Sequence, residues 1–274
     1  PQCGILREKG TADLLDAALR AGADLVGGLD PAGYDRDPVR HLDVVFGLAE
    51  KHQRGVDVHL HDAGTLGAFQ VELICERVAA LGMRGQVTIS HAFALSTVDE
   101  QRQGDLVELL AEHDIAVTTV APGVREPLPL RRLRWAGVRV GLGQDGIRDY
   151  WSPYGDGDML DRAWQLAYRN GFRRDEQVEM CVDIATRGGA AVMGRVLGLT
   201  EGAPADLVVV PGREDPLAPV PDAAVRGPGP RLPQVPTRRP VDARGAAGSR
   251  PSGNAAAEPA AVPELADARG GDRP

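Results

Sequence analysis

The chain has 274 residues, 43% of them hydrophobic, and a formal net charge of −8, which allows one large α/β domain or two small ones. The acidic balance, with no basic stripe, disfavours a phosphate backbone as partner, so no nucleic acid is expected. No run approaches the roughly 18 apolar residues of a membrane span, and the first residues lack the basic start and apolar stretch of a signal peptide, so no membrane partner and a cytoplasmic location are the expectation.

Cys3, Cys75 and Cys181 are odd in number and widely spaced, which argues against a disulfide framework and against a thiolate metal site. They read as idle or buried thiols. The chain opens on Pro1-Gln2-Cys3-Gly4-Ile5-Leu6, which reads as the end of a strand and the loop after it. The expectation is a chain that begins inside a fold.

From Thr11 to about residue 210, short β-like runs alternate with longer amphipathic segments, the pattern of a parallel α/β fold. Helices are predicted at 12–21, 38–53, 66–82, 98–113 and 158–169. Thr97 with Glu100 reads as a capping box at the start of the fourth. The predicted strands are 24–28, 56–59, 86–91, 115–118 and 138–142, each with a polar or glycine-bearing C-terminal end. In a (β/α)8 barrel those ends form the active-site face. A doubly wound sheet gives the same alternation, so periodicity leaves the topology open. No GxGxxG follows any of these strands, which weakens a nucleotide-binding reading.

After residue 210 the composition shifts. Thirteen of the 21 prolines fall in the last 64 residues and no aromatic follows Phe172, so residues 213–274 are expected to lack a stable fold.

His59-Leu60-His61-Asp62 puts two imidazoles two residues apart at a strand end, on one face. Ser90-His91 ends the next strand, and Gln144-Asp145-Gly146 follows the last. Imidazole nitrogens with a carboxylate suit zinc or ferrous iron with a position open to water. His41, His52 and His113 lie on helical segments with polar neighbours and read as surface residues.

These blocks, with Ala23-Asp24-Leu25-Val26-Gly27-Gly28, Trp151 and Ala205-Asp206-Leu207-Val208-Val209-Val210 in the same order, resemble the cytosine deaminases and their relatives in the amidohydrolase superfamily. The resemblance implies a partial TIM-like (β/α)8 barrel over 1–198 and a remnant strand of a small β-sandwich over 199–212. It makes His59 and Asp145 ligands of one divalent metal ion, zinc or iron, at the fifth and eighth barrel strands. His91 then ends the sixth strand beside the attacking water, and Asp145 takes that water's proton. Asp62 stands where the family carries a carboxylate proton shuttle, usually one methylene longer. Gln2 and Trp151 match substrate contacts, and Gly146 replaces a second family carboxylate.

The family's binuclear members place a carboxylated lysine on the fourth strand; residues 24–28 hold none, so one metal is expected. The implied activity is hydrolytic deamination of cytosine-like heterocycles, with ammonia released. Alkylamine release from aminotriazines is the alternative within the superfamily, and a non-catalytic fragment the alternative outside it. The family's first strand supplies two further ligands that this sequence does not contain, so weak metal retention and little turnover are expected of the chain alone. The expected partner is a small heterocyclic substrate, with self-association left open.

Overall fold

The structure is a computed structural model that describes residues 2–123 and 125–195, together with 197, 201, 202, 204 and 206. The expected sandwich strand at 199–212 (apart from isolated residues) and the Pro-rich segment at 213–274 lie outside the described residues.

Five strands, β1 (Leu25–Leu29), β2 (Gly55–His59), β3 (Val87–Ser90), β4 (Ala116–Thr119) and β5 (Val140–Leu142), form one sheet in the order of the chain. Every neighbouring pair is parallel. A doubly wound sheet reverses its strand order at a switch point, and none occurs among these strands. The topology left open by periodicity is therefore that of a (β/α) barrel arc.

Helices α1 (Thr11–Arg20), α2 (Pro38–His52), α3 (Gly64–Leu81), α4 (Ala94–Thr97), α5 (Glu100–Glu112), α6 (Leu130–Trp135), α7 (Met159–Arg169), α8 (Asp175–Asp183) and α9 (Gly189–Val192) surround the sheet in sequence. All five expected helices and all five expected strands are present, with ends within two residues of the reading. Pro38 at the first turn and the Asp37 side chain, which accepts from the Arg40 N–H at 3.0 Å, start α2.

The capping box expected at Thr97 and Glu100 is not formed. Thr97 ends α4, where its hydroxyl donates to the Phe93 carbonyl and accepts from the Gly64 N–H. Asp99 caps α5 instead, accepting from the Arg102 N–H at 2.9 Å.

Strand alternation divides the sheet into two faces. Val26, Val56, Val58, Val87, Ile89, Val117 and Val140 are buried on the outer face, in one cluster with Leu42, Val45 and Phe46 of α2, Ile74 and Val78 of α3, and Leu106 and Leu110 of α5. Each such side chain contributes about 1.5–3 kcal/mol on full burial. The inner face carries Asp57, His59, Thr88, Ser90 and Thr118, residues that a core would exclude. No helix of the described residues is long and apolar enough to cross a membrane. Cys75 and Cys181 are buried, which pushes their thiols up to about 12 and about 11, while Cys3 is exposed.

Two expectations are corrected here. Residues 2–9 form turns and bends rather than a strand end, because the N–H groups of Ile5, Leu6 and Arg7 are all taken by the Asp35 carboxylate, at 2.8, 3.1 and 3.2 Å. His41 is not a surface residue: its side chain is 0% exposed, and its Nδ1 lies 2.6 Å from Asp35 Oδ2. Residue 41 stands one turn before Val45 on the buried stripe of Leu42, Val45, Phe46 and Ala49. Its Nε2 has no partner among the described residues and faces Gly28, where any Cβ would sit 2.4 Å away. His52, the last residue of α2, is half-buried with its Nε2 2.7 Å from Asp16 of α1, and His113 is half-buried.

Burial outweighs the attraction of Asp35 and holds His41 below the ordinary imidazole pKa. The unfolded chain takes up a proton near pH 6.5 that the folded chain refuses. Stability from this group is therefore complete above about pH 6.5 and falls as the pH drops below it. We expect the free energy of unfolding to decline from about pH 7.5 to pH 5, and His41→Gln to reduce that slope. Urea unfolding across that range measures both, and an unchanged slope in the variant would contradict the assignment.

Candidate metal centre

The strands deliver their chemistry at the C-terminal rim. His59 closes β2 on the inner face, paired with Ser90, which is itself paired with Thr118. His91 follows β3 with φ 72°, and Asp145 follows β5 with φ 64°. Left-handed backbone at a non-glycine residue costs on the order of 1–3 kcal/mol and clusters at functional sites. Here it turns each side chain back over the rim.

His91 Nε2 lies 3.2 Å from His59 Nδ1 and 3.8 Å from Asp145 Oδ2. The ring of His61 stacks on that of His91, with centroids 4.2 Å apart and planes at 30°. One donor atom from each of His59, His61 and His91 falls within 4.8 Å of the other two. His59, His91 and Asp145 line a cleft of about 240 Å³, together with Ser90, Thr118 and residues of α9.

The donor set fits a divalent transition metal. Imidazole nitrogens together with a carboxylate oxygen, His59 Nδ1 3.2 Å from His91 Nε2 and Asp145 Oδ2 3.8 Å from it, are the donor types that such an ion takes. Two imidazoles this close cannot both carry a proton between them. Burial, reinforced by His61 and His59, pulls His91 down to about 4, so the ring is neutral at pH 7 and its lone pair is available.

Behind the histidines, Ser90 Oγ donates to Asp57 Oδ1 at 2.8 Å and lies 2.7 Å from Thr118 Oγ1. Burial raises Asp57 above the ordinary carboxylate range.

The remaining sequence candidates stand apart from this cluster. Asp62 is half-buried beyond His61, and its Oδ2 accepts from Gln70 Nε2 of α3 at 2.8 Å. Gln2 is exposed in a turn, and Trp151 is 69% exposed with its ring edge against Tyr150. None of the three is among the residues lining the cleft. At Gly146 a Cβ would come within 2.9 Å of the Asp149 carboxylate. Asp149 in turn accepts from the N–H groups of Ile147, Trp151 and Ser152, which tie the loop around it.

Sequence reasoning missed Asp30, which engages His61. Asp30 Oδ1 accepts from the His61 N–H at 2.5 Å, and Oδ2 lies 2.9 Å from His61 Nδ1. The available signal was its position: Asp30 follows β1 at the same rim as the residues that were found.

The chain is similar to several known proteins. The crystal structure of N-isopropylammelide isopropylaminohydrolase from Burkholderia multivorans ATCC 17616 is 48% identical, with a TM-score of 0.75, over 77% of this chain and 55% of that one. N-isopropylammelide isopropyl amidohydrolase of Pseudomonas sp. (strain ADP) is 30% identical over 211 residues, 76% of this chain and 52% of that protein. The 5-methylcytosine deaminase of Klebsiella pneumoniae is 27% identical in structure alignment, with a TM-score of 0.67, over 77% of this chain and 55% of that one. This chain thus spans about half the length of these relatives. Residues 3–230 match the amidohydrolase family, and with histidines and an aspartate gathered at the C-terminal rim of a parallel barrel sheet, the chain belongs to that family.

Proposed function

We propose that the chain carries part of the catalytic centre of a metal-dependent hydrolase that cleaves an exocyclic carbon–nitrogen bond of a nitrogen heterocycle. The observation that carries this reading is the convergence of His59, His91 and Asp145 in one cleft. His59 and Asp145 would hold a single zinc or iron ion, which when bound would lower the pKa of a water to about 7. Asp145 would accept a proton from the water that attacks the amine-bearing ring carbon. His91, neutral at working pH, orients the water through its Nε2. Asp62 carries a proton to the ring nitrogen and then to the departing amine as the carbon–nitrogen bond breaks. Gln2 and Trp151 are proposed to meet the ring itself.

A second reading, on the leaving group, is favoured by one comparison: 48% identity to an isopropylaminohydrolase against 27% to a cytosine-type deaminase. Gly146 supports it, since the position where cytosine deaminases carry a second carboxylate has no side chain here. An alkylamine is therefore the leaving group we favour, with ammonia from cytosine-like rings second.

The substrate test scores amine release from N-isopropylammelide, cytosine and isocytosine by the product of the complete reading frame. Isopropylamine release at the highest kcat/KM is expected; faster ammonia release from cytosine would return the assignment to the deaminases, and no release from any ring would reject a carbon–nitrogen hydrolase. The role test replaces side chains in the same protein. Asp145→Ala and His59→Ala are expected to lose the metal, whereas Asp62→Asn keeps it and loses about 10²–10⁴ in kcat. Elemental analysis beside steady-state rates measures this, and an Asp62→Asn variant as fast as its parent would remove Asp62 from the mechanism.

A further inference from the structure

Asp30 grips the His59-Leu60-His61 turn from the neighbouring strand. Its N–H donates to the His59 carbonyl at 2.9 Å, extending the β1–β2 ladder by one residue. Its carboxylate then takes both the backbone N–H and the ring of His61, at 2.5 and 2.9 Å. The Asp30 side chain is 12% exposed, and its backbone is held at φ 38°. A buried carboxylate in a left-handed residue carries a desolvation and a conformational cost.

A carboxylate accepts hydrogen bonds. Facing Nδ1, it takes the ring proton on that side and leaves Nε2 as the nitrogen with a lone pair to offer. The same ring is stacked on His91 and offers a nitrogen within 4.8 Å of donors on His59 and His91. A carboxylate behind a histidine in this way sets the tautomer and orientation of metal-binding imidazoles and raises their basicity.

We propose that Asp30 is a positioning residue: by holding the backbone N–H and Nδ1–H of His61 it aims Nε2 at the His59–His91 cluster, making His61 a further nitrogen donor to the divalent metal. This rests on the reading of the cleft as a metal centre. Ligation then does not depend on His59 and Asp145 alone, the two residues that sequence reasoning assigned.

The test is zinc affinity of the 274-residue chain, measured by competition with a chromophoric chelator, for the parent, Asp30→Asn, His61→Ala, the double variant and His59→Ala. Asp30→Asn keeps the size of the side chain and an acceptor oxygen but not the charge. It is expected to weaken zinc binding about 10- to 100-fold, and His61→Ala at least as much. The double variant should be no weaker than His61→Ala, because both changes remove one donor. A purely structural Asp30 would instead give losses that add.

Unchanged affinity in His61→Ala overturns the proposal. So does unchanged affinity in Asp30→Asn, or an additive double variant. Should Asp30→Asn fail to fold, pulsed EPR of the chain loaded with copper(II) counts imidazole nitrogens, and one fewer is expected in His61→Ala than in the parent. An equal count overturns the proposal. If His59→Ala binds zinc as tightly as the parent, the metal reading itself fails; if His59→Ala loses zinc while the other variants do not, only the role of Asp30 and His61 fails.

Discussion

A single row of paired residues runs across the sheet through Leu29, His59, Ser90, Thr118 and Gly141, and the cleft depends on it. Side chains alternate along a strand, so sliding any one strand by a residue sends its inward groups to the opposite face. The row one residue earlier, Gly28, Val58, Ile89, Val117 and Val140, shows why such a slip is costly. Those side chains are locked into the helix layer with Leu42, Phe46, Ile74 and Leu106, and the same slip would carry Asp57, His59 and Ser90 into that apolar layer. Apolar burial on one face thereby fixes the chemistry on the other.

What the register cannot do is aim side chains that lie beyond the strand ends. That task falls to strained backbone and carboxylates. Left-handed φ values follow β1 at Asp30, β3 at His91 and Ala92, and β5 at Asp145, turning the chain sharply where an extended continuation would carry these groups away. The same device recurs outside the cleft: Asp35, buried against His41, collects three consecutive N–H groups and fixes residues 5–7 beside β1. Asp30 and Asp35 each sit where several donors converge, which offsets the penalty of burying them.

The strands and longer helices were legible because each carries a complete period: alternation on β2, and the stripe of Leu42, Val45, Phe46 and Ala49 on α2. The strand-end histidines and Asp145 were legible because a polar group after an apolar strand is conspicuous. Short elements such as α4 and α6, of four and six residues, are too brief to show a period. Asp99 was overlooked because Thr97 offered a competing cap, and only the α4 turn shows that its hydroxyl is already engaged. His41 and Asp30 share one cause. Each is polar in the sequence and becomes buried only through a partner, Asp35 or His61, that the fold supplies.

The account turns on a metal held by this rim, and X-ray diffraction from zinc-loaded crystals, collected on both sides of the zinc absorption edge, examines that most directly. An anomalous peak about 2.0–2.2 Å from a ring nitrogen of His59 and a carboxylate oxygen of Asp145 is the predicted result. Zinc bound elsewhere on the chain, with the nitrogens of His59 and His91 still in contact with each other alone, would contradict it.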